Sequence, residues 1–192
     1  MHALKLHPDR LFPADPATRD VARELYALVQ DLPIISPHGH TDPSWFAGNK
    51  NFGNATELLL VPDHYVLRML YSQGVPLEAL GVAPVGEDSS ADPREAWRLL
   101  AEHYYLFRGT PSNIWLDWVF AEVFGIYVRL SSETSDLYYD RITQALATEA
   151  CRPRALIDRF NIEVIATTEN PLDTLEHHRA IAQSDWGGRV IT

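Results

Sequence analysis

Ile34-Ile35-Ser36-Pro37-His38-Gly39-His40 is the stretch on which the fold turns. A β-branched pair short enough for a buried strand runs straight into a proline and two histidines, and polar, turn-forming residues follow. Successive residues of a strand point to opposite faces, so His38 and His40, two apart, can project from the same side at the strand's end. Two imidazoles on one side suit a divalent ion, and a catalytic metal site takes about three protein ligands with one position left open. Gly39 between them removes a side chain and lets backbone or ligand come close. By spacing alone, His-Gly-His is equally a turn carrying two solvated histidines; its place after an Ile-Ile strand tilts the reading toward metal.

Composition bounds the rest. The 192 residues, 46% apolar and 22% charged, describe a globular protein with enough material for a sizeable core. Acidic residues outnumber basic ones 26 to 16, a net charge of −10, which argues against a sequence-independent grip on nucleic acid or an anionic membrane. The single cysteine, Cys151, cannot form an internal disulfide, and no secretory signal or apolar run of roughly 20 residues appears, so a cytoplasmic protein is expected. A complete eight-fold βα barrel takes typically about 250 residues, so barrel chemistry in this chain means part of a barrel.

Upstream of the histidines, Asp15-Pro16 opens a helix with Val21, Leu25, Leu28 and Val29 at helical spacing, expected to stop near Leu32-Pro33. Downstream, from Ser44 to about Phe160, helix follows helix. Start signals recur at Pro62-Asp63, at Asp92-Pro93 with Glu95 placed for a capping box, and at Thr110-Pro111. Trp97, Leu100 and Tyr104 share a face, whereas Trp115, Trp118 and Val119 surround most of the helix that ends before Gly125, which predicts deep packing. Helices are also expected between Ser131 and Ala150 and from Pro153 to Phe160. Ile162 to Thr167 then reads as a strand, Asn170-Pro171 as the start of a helix through about Ser184, Gly187-Gly188 as a turn, and Arg189-Val190-Ile191-Thr192 as another strand, together a βαβ unit. A chain ending inside a strand is the mark of an unfinished sheet.

At this point the sequence resembles a known family. The run Asp31-Leu32-Pro33-Ile34-Ile35-Ser36-Pro37-His38-Gly39-His40-Thr41-Asp42-Pro43 is similar to the start of uronate isomerases, members of the amidohydrolase superfamily. Pro62-Asp63-His64-Tyr65-Val66-Leu67-Arg68 resembles their Asp-His-Tyr helix, Trp115-Leu116-Asp117-Trp118 with Phe124-Gly125-Ile126 a helix of their insert domain, and Arg159 to Glu169 their second barrel strand. Leu175-Glu176-His177-His178-Arg179 extends the likeness almost to the terminus.

The resemblance implies an α/β fold: the first strands of a metal-dependent-hydrolase-type TIM barrel with a large all-helical insertion. Residues 1–43 would hold the first helix and strand, 44–160 the insertion, and 161–192 the second strand, a helix and the third strand, with the remainder of the barrel absent. The implied reaction is aldose-ketose isomerisation of a hexuronate, D-glucuronate to D-fructuronate or D-galacturonate to D-tagaturonate, by metal-assisted proton transfer through an enediol. His38 and His40 would bind the divalent metal, zinc with manganese as the alternative. His64 and Tyr65 would contact substrate and assist proton movement, and Arg68, one turn on, would reach the sugar carboxylate. The family's last metal ligand, a carboxylate of the final strand, and its carboxylate-holding arginines lie downstream of Thr192, so this chain alone is expected to be inactive or nearly so. The full-length protein is expected to be a homo-oligomer acting on a small-molecule hexuronate, with no nucleic-acid or membrane partner.

Other polar residues carry plainer expectations. Asp42 would cap a turn before Pro43 rather than orient His40. Thr167, Thr168 and Glu169 sit at a strand's carboxyl end, yet read first as helix-start chemistry. His177 and His178, adjacent in mid-helix, are expected at the surface, and His103 in the core. Two other readings compete: a hydrolase of the same superfamily, and a stand-alone helical binding module with incidental histidines. The module reading fails if residues 34–36, 162–167 and 189–192 lie side by side as parallel strands with the histidines at their carboxyl ends; the barrel reading fails if the first is helical or remote from the others.

Overall fold

The computed structural model describes residues 2–186 and 189–192; the turn expected at Gly187-Gly188 lies outside them. Along the chain come α1 (Pro16–Ala27), β1 (Ile34–Ser36), α2 (Pro43–Gly48), α3 (Ala55–Leu59), α4 (His64–Tyr71), α5 (Pro93–His103), α6 (Pro111–Trp118), α7 (Ser135–Leu146), α8 (Pro153–Arg159), β2 (Ile162–Ala166), α9 (Glu176–Ala182) and β3 (Arg189–Ile191). They form two compact units. One is Phe52–Ala147 joined by the residues up to His7, and the other is Pro8–Asn51 with Thr148–Thr192.

The first unit is helical. Its helices start where the cap signals stand. Asp63 Oδ1 accepts from the Tyr65 and Val66 amides at 2.8 and 3.1 Å, Asp92 Oδ1 from Arg94 at 2.8 Å, and Thr110 Oγ1 from Asn113 at 3.3 Å. Glu95 makes no capping box; its carboxylate turns along the helix to Arg98, one turn on. Trp97, Phe107, Phe120 and Tyr138 are fully buried, with the Phe120 ring 4.9 Å from that of Tyr138 and 6.3 Å from that of Trp97. On the surface, Arg94 and Arg98 reach from α5 to Asp136 and Asp140 of α7. Leu4 enters this core, and Ala3 bridges Val128 antiparallel.

The helix before Gly125 departs from the expected all-round burial. Its inner stripe is Leu116, Phe120, Ala121 and Phe124, whereas Trp115 is exposed and Trp118 and Val119 are half-buried. The regular helix gives way at Val119–Val123 to a wider π-type turn, and Gly125 closes it at φ +67. Beside this stripe the Tyr104 hydroxyl donates to Asp117 at 2.9 Å and accepts from Asn113 Nδ2 at 3.1 Å. Burial pushes the Asp117 carboxyl above its ordinary range and the Tyr104 hydroxyl well above its own. His103 is half-buried, its Nδ1 2.9 Å from the Leu99 carbonyl.

The second unit carries the sheet. The strands lie parallel in the order β1-β2-β3, pairing Ile35 with Val164 and Ile165 with Val190. β2 is central, and Ile165 packs with Phe46 of α2, Ile157 of α8 and Ile181 of α9, flanked by Trp186 and Val190. Parallel strands in this order exclude the helical module with incidental histidines.

Three sequence expectations fail here. Within the described residues the first strand is not covered: Ile34 is 49% and Ile35 65% exposed. Among the described residues it lies at the edge of the sheet, and the helices packed there, α8 and α9, meet β2 and β3 instead. The first helix ends at Ala27, short of Leu32, and none of its residues is buried; Val21 and Leu25 stay exposed, as do Leu28 and Val29 beyond its end. Finally, Asn170-Pro171 opens no helix. Asn170 closes a turn on itself, its side-chain oxygen taking the Leu172 amide at 3.0 Å and its carbonyl the Asp173 amide at 2.9 Å. Leu175, at φ +53, then precedes a helix that begins only at Glu176.

Candidate active site

The histidines stand where β1 ends. Their Nε2 atoms are 3.0 Å apart, with ring planes at 78° and centroids 5.0 Å apart. Each nitrogen can therefore lie at the usual metal-nitrogen distance of about 2.0–2.1 Å from a single ion, so the pair fits two positions of a divalent metal site. Among the described residues no group of three His, Cys, Asp or Glu side chains could hold such an ion.

What shapes the turn is the neighbouring strand. A Cβ on Gly39 would sit 3.3 Å from the Ala166 carbonyl, so the missing side chain lets the turn fold against the end of β2. Thr168, just past β2, donates its hydroxyl to the Gly39 carbonyl at 2.9 Å. Asp42 has the plain role: it caps α2, accepting the Ser44 amide at 2.8 Å.

A cavity of about 480 Å³ opens beside His40, lined also by Thr168, Glu169, Asp173, His177 and His178. His178 corrects the surface expectation, for its side chain is only 11% exposed, and that of Glu169 15%. The Thr167 hydroxyl lies 2.9 Å from His178 Nε2 and 3.3 Å from the Ile191 carbonyl. Glu169 Oε1 lies 3.9 Å from the same nitrogen, buried and without a hydrogen-bond partner. His178 is inward because α9 starts late, which puts it in the first turn rather than at the middle of a long helix. The signal for Thr167 and Glu169 was available: they sit two apart at a strand's carboxyl end, the spacing that singled out the histidines.

His64, Tyr65 and Arg68 form a separate cluster, in the helical unit. Asp63 caps α4 and presents the His64 and Tyr65 rings exposed, with centroids 4.2 Å apart. Arg68 lays its guanidinium 5.1 Å from the Tyr65 ring centroid and donates from Nε to the His64 carbonyl at 3.2 Å. Thus the structure unites His38 with His40 in one unit and His64, Tyr65 and Arg68 in the other.

A family model described as glucuronate isomerase matches residues 16–191. The chain belongs to the glucuronate isomerase family. A uronate isomerase of Sphingopyxis alaskensis is 69% identical over 193 residues, covering 98% of this chain and 40% of that protein. One of Phenylobacterium zucineum is 65% identical, at 98% and 39% coverage. The crystal structure of glucuronate isomerase from Caulobacter crescentus superposes with a TM-score of 0.96 at 64% identity, covering all of this chain and 40% of that one. That of uronate isomerase from Thermotoga maritima gives 0.82 at 28% identity, covering 97% of this chain and 38% of that one. The chain therefore spans about 40% of the length of the family members it matches.

Proposed function

We propose that this chain is the N-terminal portion of a uronate isomerase that interconverts hexuronates between aldose and ketose, D-glucuronate with D-fructuronate and D-galacturonate with D-tagaturonate. The observation that carries the reading is the convergence of His38 and His40 at the end of a parallel strand, within a chain of this family. In the isomerisation a proton leaves carbon 2 and one is added at carbon 1, while the hydroxyl proton passes from one oxygen to the other. The enediol between them needs groups that take up and return protons and others that stabilise charge on oxygen.

His38 and His40 would hold the divalent metal, zinc or alternatively manganese. When bound, the ion supplies Lewis-acid stabilisation of that oxygen charge. His64 and Tyr65, exposed together at the start of α4, would contact the sugar and move a proton; Arg68 would pair with its carboxylate. In this reading the parallel strands open a TIM barrel of the amidohydrolase superfamily, residues 44–160 are an insertion, and the whole protein is a cytoplasmic homo-oligomer. Full activity belongs to the whole protein, since two converging imidazoles fall short of the about three ligands that a catalytic metal needs. Family membership favours the isomerase over a water-activating hydrolase.

The test is a coupled assay on glucuronate and galacturonate with added zinc or manganese, using the 192-residue chain and the whole protein that carries it. Turnover is expected from the whole protein, with little or none from the chain. Replacing His38 and His40 together by alanine should lower kcat by about 100-fold or more, the equivalent of losing several kcal/mol of charge stabilisation. Unchanged turnover in that double variant would sink the metal assignment.

A further inference from the structure

Thr168 meets the histidine turn at two points. Its hydroxyl oxygen is 2.9 Å from the Gly39 carbonyl and 3.5 Å from His38 Nδ1, at the outer edge of hydrogen-bond reach. A hydroxyl has one proton to give and a carbonyl can only accept, so the proton goes to Gly39. The oxygen then offers a lone pair to His38, and the ring nitrogen facing a lone pair is the one that carries hydrogen. With its proton on Nδ1, His38 keeps a bare Nε2. That nitrogen is the one 3.0 Å from His40 Nε2.

We propose that Thr168 is a positioning residue for the metal pair, pinning the Gly39 carbonyl to the end of β2 and fixing His38 in the tautomer whose Nε2 is free to bind metal. The inference rests on the reading of His38 and His40 as ligands. Metal-bound imidazoles usually pass their second N–H to an acceptor, and losing that acceptor costs about 10–100-fold in metal affinity. Asp42, the carboxylate nearest in sequence, is taken up in capping α2, whereas Thr168 reaches the turn from 129 residues away along the chain.

The experiment compares the whole protein with Thr168→Val, which keeps the shape and drops the hydroxyl, and Thr168→Ser, which keeps the hydroxyl. Zinc affinity is read by competition with a chromophoric chelator, and the His38 tautomer by long-range nitrogen-proton NMR on the metal-free protein. Parent and Thr168→Ser should show hydrogen on Nδ1, with zinc affinities within about threefold of each other. Thr168→Val should lose that tautomer preference and bind zinc about 10–100-fold more weakly. A Val variant with the parent's tautomer and affinity overturns the proposal. If the parent's zinc affinity survives loss of both histidines, the ligand reading fails, while the tautomer measurement still decides whether Thr168 orients the ring. Should Thr168→Val fail to fold by circular dichroism, Thr168→Ala against Thr168→Ser gives the same comparison.

Discussion

The two units solve the burial problem differently. In the helical unit Trp97, Phe107, Phe120 and Tyr138 are sealed among α5, α6 and α7, and side chains cap the starts of α3, α4, α5 and α6. In the sheet unit a smaller group of Phe46, Ile157, Ile165 and Ile181 covers the central strand, while Ile34, Ile35, Val21 and Leu25 face outward. Amphipathic helices can bury their stripes against near neighbours in sequence. A parallel sheet buries an interior strand only when strands and helices distant in sequence meet on it. The unit with the thinner core is also the one that carries the converging histidines and the polar cavity.

The largest test of this contrast is Trp97→Ala. Emptying a fully buried indole site should cost about 3–5 kcal/mol in urea unfolding, with loss of near-ultraviolet dichroism from the helical unit. If it costs no more than a surface change, the helical core is not the tighter of the two. Within the sheet unit of the 192-residue chain, shortening the buried Ile165 to Val should cost about 0.5–1.5 kcal/mol, whereas Ile35→Val on the edge strand should stay within about 0.5 kcal/mol. Equal costs for the two would mean that β1 is as enclosed as β2.

The smallest effect is a pH dependence. Burial raises the Asp117 carboxyl, so the stability linked to its protonated form is complete below the ordinary carboxylate value and is lost as pH climbs through the raised one. Asp117→Asn cannot ionise and keeps an oxygen for the Tyr104 hydroxyl. Relative to the parent, its urea midpoint should therefore improve as pH rises across that window. A gap that stays constant or runs the other way would show the carboxylate ionising as freely as an exposed one. The surface pairing of Asp136 with Arg94, whose hydrogen bond holds that carboxyl low, is common to both proteins and cancels.

Much of this was legible in the residues. Asp63, Asp92 and Thr110 cap the helices they precede, the β-branched runs at 34–36 and 162–166 are strands, and the two-residue spacing of His38 and His40 delivers both rings to one place. These are local relations, set by rotation per residue and by side chains that reach their own backbone. Three other features were not readable. Whether Ile35 is buried depends on which strand lies at the edge; whether His178 points inward depends on where α9 starts after the turn at Asn170; and the partner of the histidine turn is Thr168, far away in the chain.

By itself, then, the amino-acid order determined where α4, α5 and α6 begin, where the strands lie, and that two imidazoles would be delivered to one strand end. Only the tertiary structure decided which apolar faces are covered, which hydroxyl meets Gly39 and His38, and which histidine of the 177–178 pair is drawn in against Thr167. Backbone geometry repeats over a few residues and can be read along the chain. Strand order and hydrogen-bond partners come from segments more than a hundred residues apart, and no local period encodes them.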